Sequence, residues 1–109
     1  MSSEISWSTA QTMIREYYDN ENALQIPTPS GVKVLKGYRI SKANIDAIFS
    51  QGNVSELFIM FGVRQQDLGQ ATQYFTTIVA GISTSNNILT SKVFDYCDPC
   101  PDTCPSNVT

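Results

Sequence analysis

The stretch Glu56-Leu57-Phe58-Ile59-Met60-Phe61-Gly62-Val63-Arg64 decides how this chain is read. It is nine residues long, apolar between its two charged ends, and bounded by polar sequence on both sides. A run that short suits a strand better than a buried helix, and its lack of polar alternation predicts a central strand covered on one or both faces. Downstream, residues 65–70 form a polar connection holding Gly69. Residues 74–82 then carry Tyr74, Phe75, Ile78, Val79 and Ile82 among threonines. That is a second strand, and the two predict an antiparallel hairpin. Residues 83–87 are a turn cluster, and 88–96 read as a final strand or an extended edge segment.

Upstream of the run, Ser41 is a strong helix N-cap, and Ile40 before it can staple to Ile45. Ala43, Ile45, Ala47, Ile48 and Phe49 supply an apolar face, so the spacing predicts a helix over 41–51 closed by a left-handed Gly52. Residues 32–40 read as a strand bent at Gly37. Residues 20–31, with Pro27, Pro29 and Gly31, break the pattern. Before them, Trp7, Ala10, Ile14, Tyr17 and Tyr18 recur at helical spacing over 5–20, with Ser6 or Ser8 as the cap. Helices and strands in this order predict an α+β fold: a small, mostly antiparallel sheet of three to four strands with two helices packed on one face. Residues 1–96 make one domain, and 97–109 a Cys/Pro-rich C-terminal tail.

With 109 residues the chain has room for one domain. Its charged fraction is only 16%, because Ser, Thr, Asn and Gln supply much of the polarity. The uncharged run 68–91 is broken by Gly69, Gln70, Gln73 and Gly81, so no membrane span is expected. The first residues show no basic or apolar export signal, which places the chain in the cytoplasm. A net charge of −3 and a pI near 4.6 exclude nucleic-acid binding held by phosphate contacts. The sequence contains 0 histidines, which removes the Ser-His, Cys-His and His-metal mechanisms together.

Two groups of side chains could carry chemistry. Cys97, Cys100 and Cys104 lie in the tail with C-x2-C-x3-C spacing. Closely paired thiolates chelate soft metals such as zinc, and Asp95, Asp98, Asp102 or a partner chain's thiolate could complete a tetrahedron. A four-thiolate cluster lacks its fourth cysteine. The pair Cys97 and Cys100 could also act as a redox dithiol, although prolines follow it and no helix begins there. The plainer expectation is a reduced tail and no cofactor. The second group is Lys33, Lys36, Arg39 and Lys42, which could hold an anion or an acidic partner. Against that stands an edge whose lysines discourage strand pairing. The aromatics are expected mostly in the core, with one of Tyr17 and Tyr18 at a rim.

Several segments together resemble a group of short bacterial proteins with no assigned activity. These are the N-terminal Ile5-Ser-Trp-Ser-Thr-Ala-Gln-Thr-Met-Ile-Arg-Glu-Tyr-Tyr18, Lys36-Gly-Tyr-Arg-Ile40, Ala43-Asn-Ile-Asp-Ala-Ile-Phe49, Leu57-Phe-Ile-Met-Phe-Gly-Val63, Thr77-Ile-Val-Ala-Gly-Ile82 and the Cys-Pro tail. By position, Cys97, Cys100 and Cys104 match that group's tail, with a longer spacing and a third cysteine. The resemblance implies no activity and no cofactor.

The sequence therefore points to a small non-enzymatic domain acting through protein–protein contacts, with an unidentified protein partner or as a homo-oligomer. The alternatives are a metal-binding or thiol-redox protein built on the tail cysteines, and a small-molecule-binding domain with a pocket between helices and sheet.

Overall fold

A computed structural model describes residues 3–95, together with the backbone of 99–100. The fold is α+β. The first helix, α1 (Trp7–Tyr18), starts where Ser6 leaves the extended region and its Oγ accepts the Thr9 N–H at 3.1 Å. Ser6 and not Ser8 is therefore the cap, and the helix stops short of the expected 5–20. It has no fully buried residue, and Trp7 is 51% exposed.

The segment after α1 departs from expectation. It contains β1 (Gln25–Thr28) and β2 (Gly31–Val34), an antiparallel hairpin in which Ile26 faces Lys33 and Pro27 faces Val32. Thr28 closes its turn by donating from Oγ1 to the Gly31 carbonyl at 2.7 Å. A two-stranded ribbon leaves each strand one open edge, where the N–H that proline lacks is not needed. The expected single strand over 32–40 is thus two pieces. β2 pairs backward, and β3 (Gly37–Tyr38) pairs antiparallel with the short β7 (Pro99–Cys100).

The second helix, α2 (Lys42–Phe49), begins as its sequence dictates, with Ser41 Oγ accepting the Asn44 N–H at 3.1 Å. Gly52 is left-handed as expected (φ +75°), but Asn53 follows it with φ 57°, so the pair reverses the chain after the helix has ended at Phe49. From there β4 (Val54–Val63), β5 (Phe75–Ser83) and β6 (Ile88–Asp95) run as an antiparallel meander in the order β4-β5-β6. A short 3₁₀ turn, Gln65–Asp67, lies in the first connection.

Register assigns the faces. Leu57, Ile59, Phe61 and Val63 stand opposite Gly81, Val79, Thr77 and Phe75, so these eight share one face, here the inner one. A Cβ on Gly81 would lie 3.0 Å from Ile48 Cγ2 and 3.1 Å from Val54 Cγ1, which shows α2 seated against this face with glycine making the room. Ile48, 0% exposed, is the centre of that contact. The remaining buried apolar residues are Ile26, Leu35, Val79 and Ala80. The core thus sits over β5, and the apolar run of β4 is at the edge of the sheet. The prediction of a central, covered strand at 56–64 is corrected: apolar composition marks both a doubly covered strand and an uncovered one, and only the strand order separates them.

Candidate functional site

The inner face carries a trough. Between the sheet and the chain before α2 lies a cavity of about 350 Å³, lined by Tyr17, Leu24, Leu35, Tyr38, Phe61 and Val79 among others. A second hollow of about 450 Å³ adjoins it and shares Leu24 and Phe61. Phe61, 75% exposed, stands between the two, and Ile59 beside it is 58% exposed. Phe58, on the outer face of the same strand, is 45% exposed. These β4 residues, with Phe75 and Trp7, were expected in the core; the structure places them at the surface.

Local order around the trough comes from backbone-directed bonds. Tyr17 donates its hydroxyl to the Leu35 carbonyl at 2.5 Å, and Tyr38 donates to the Phe75 carbonyl at 2.8 Å. Burial raises the Tyr17 phenol above its usual range, and the Leu24 backbone offsets part of that. Tyr18 packs edge-on against Tyr17, with ring centroids 5.9 Å apart. Its own phenol is raised by burial and then by its neighbour.

At the hairpin end, Arg64 grips Asp67 through two bonds, Nε to Oδ2 at 2.9 Å and Nη2 to Oδ1 at 3.1 Å. Asp67 Oδ2 also accepts the Tyr74 N–H at 2.9 Å, and the guanidinium lies 5.2 Å from the centre of the Tyr74 ring. The Arg64 bond, then the Tyr74 N–H, hold the Asp67 carboxyl below the ordinary carboxylate range. This clamp belongs to the 65–70 connection, which reads only as a polar linker in sequence. The Arg-x-x-Asp spacing was the signal available for it.

The sequence-predicted residues are distributed as follows. Lys33 is an exposed residue of β2. Lys36 places its ammonium 4.8 Å from the centre of the Tyr18 ring, and Lys42 pairs with Asp46 at 2.6 Å. Arg39 lies in the link between β3 and α2. The four therefore occupy separate segments, and Lys36 and Lys42 have local partners. Cys97 and Cys104 lie outside the described residues, and Cys100 contributes its backbone to β7 opposite Gly37. Among the described residues there is no group of three or more metal-ligating side chains. No described helix is long and apolar enough to cross a membrane.

What this geometry offers is an apolar surface. No family model, no curated protein and no solved structure matches the chain. The surface has two parts: the trough, and the strip of β4 that forms the trough's far wall.

Proposed function

We propose that this is a non-enzymatic interaction domain whose working surface is the β4 side of the sheet. The observation that carries the reading is the coincidence of exposed large apolar side chains, Phe58, Ile59 and Phe61, with an edge strand whose outer backbone groups have no partner among the described residues. Burial of such side chains is worth about 25 cal/mol per Å², and an open edge supplies main-chain hydrogen bonds to an added strand. A protein partner uses both. The compartment that suits this reading is a bacterial cytoplasm, where the tail thiols stay reduced.

A photo-reactive benzophenone residue in place of Phe61, with the same residue in place of Ser91 on β6 as control, tests the reading in cells that make the chain. Protein adducts from position 61 and none from 91 are expected. Failure of position 61 to give any protein adduct would overturn it. It would favour a second reading, supported by the apolar lining of the cavity: a site for one small apolar molecule, whose volume lies within the usual range for ligand pockets.

A further inference from the structure

The preceding reading leaves the partner open; resting on it, we infer that the partner is a second copy of this chain, joined by antiparallel pairing of β4 with β4 about a two-fold axis at Ile59.

β4 is ten residues long, Val-Ser-Glu-Leu-Phe-Ile-Met-Phe-Gly-Val, and contains neither lysine nor proline. Its one register shift lies at its start, between Val54 and Glu56, so the rest of the strand is regular. Monomeric proteins blunt such edges with charges, prolines or bulges. The other edge of the sheet is blunted in that way. β6 carries Lys92 and Asp95, and two steps along β5 from Val79 to Gly81 face five along β6 from Leu89 to Phe94. A head-to-tail union of β4 with β6 would need that irregular edge, and would propagate as an open filament. Pairing β4 with itself uses only the regular edge and closes as a dimer.

The β4 edge is also complementary to itself. A two-fold axis normal to the sheet keeps inner residues opposite inner residues. With Ile59 opposite Ile59, Leu57 meets Phe61 on the inner face and Phe58 meets Met60 on the outer. Glu56, the one charge in the strand, meets Gly62, and the two copies of Glu56 fall at opposite ends of the seam. Leu57, Phe58, Ile59, Met60 and Phe61 then each face another apolar side chain, Val63 falls opposite Ser55, and no like charges oppose. The shared sheet has six strands. The two inner faces become continuous through Ile59 and Phe61, and the troughs flank the seam.

The uncovered parts of Phe58, Ile59 and Phe61 come to roughly 300 Å² per copy, against about 800 Å² per partner in a standard interface. Backbone and the flanking Leu57, Met60 and Val63 add to this. The balance predicts a weak dimer with a micromolar dissociation constant.

Sedimentation equilibrium on the full chain, across about 1–500 μM, tests the proposal together with amide exchange at the same concentrations. Dimer formation with protection of β4 amides that rises with concentration, and none in β6, is expected. Ile59→Lys puts two ammonium groups on the axis and raises the dissociation constant at least about tenfold. Ile59→Glu does the same, and mixing the two variants restores the dimer. Position 59 is more than half exposed, so both variants keep the monomer fold; the exchange measurement on the unaltered chain stands independently of them. A chain monomeric throughout overturns the inference, as does a dimer indifferent to Ile59→Lys or one not rescued by mixing. If the chain is monomeric while position 61 still crosslinks to other proteins, self-pairing falls and the interaction surface stands.

Discussion

Along the β6 edge of the sheet, Lys92 and Asp95 interrupt the apolar residues and the register breaks midway; along the β4 edge, ten residues run with a single charge and one shift at the very start. Both edges flank the same central strand, so the difference is not one of environment along β5. It lies in what each edge is protected from. β6 has along its length the features that keep a strand from recruiting another, and β4 has them only at its start, in Glu56 and the shift beside it. The contrast also separates stability from function. The fold is held over β5, where Ile48 meets Gly81, while β4 exposes Phe58, Ile59 and Phe61 side by side. A chain that kept β4 bare without using it would carry an aggregation hazard.

The sharpest attack on that division is Ile48→Ala. Removing the side chain that fills the space between α2 and the inner face costs about 2–5 kcal/mol, read as a fall in Tm of about 10–20 °C. Should the melting temperature hardly move, the sheet centre would not be the source of stability, and the comparison between a structural middle and a working edge would break.

Asp67→Asn is expected to act next most strongly, and only on the β4 side. Because the folded carboxyl titrates below its unfolded value, its contribution is fully present above the unfolded pKa, near pH 4, and is lost as pH falls through the folded pKa. The variant should melt several degrees lower at pH 7 and lose part of the acid-limb slope below about pH 4. Amide exchange should rise near Val63 and stay unchanged in β6. Equal loosening of both edges would show that the Arg64–Asp67 clamp does not set β4 specifically.

The smallest effect on stability, within about 0.5 kcal/mol, is expected for Lys92→Val at an exposed position. Its consequence is solubility: with the β6 edge stripped of its lysine, light scattering at high concentration should rise above that of the unaltered chain. If it does not, the irregular register alone protects that edge.

The sequence was informative where structure is decided locally. Ser41 fixes the start of α2 because one hydroxyl and one N–H three residues on suffice. The meander follows from apolar runs separated by turn residues. Pro27 and Pro29 hid β1, since a proline argues against a paired strand unless that strand has an open edge, and openness is a property of the finished sheet. The position of β4 at the border was hidden for a related reason. Phe58, Ile59 and Phe61 read as core because apolar residues usually are, and exposure depends on which strand lies beyond. The candidate surface was legible only as composition, an apolar hairpin; the trough needed Leu24, Leu35 and Tyr38 brought over the sheet by links with no periodicity. The basic residues were visible, but not that Lys36 lies over Tyr18 and Lys42 holds Asp46.

The pairing of Gly37–Tyr38 with Pro99–Cys100 joins positions about 60 residues apart in the chain. During synthesis at about 5–20 residues per second, β3 is made several seconds before its partner strand exists. Over that interval α2 and the meander can assemble while Gly37 and Tyr38 wait with an open edge. Closing so long a loop for so few bonds comes late in folding. A late event in folding is then the return of Pro99–Cys100 to Gly37 and Tyr38 at the rim of the trough, so a nascent chain that has not yet made β7 presents a different rim from one that has.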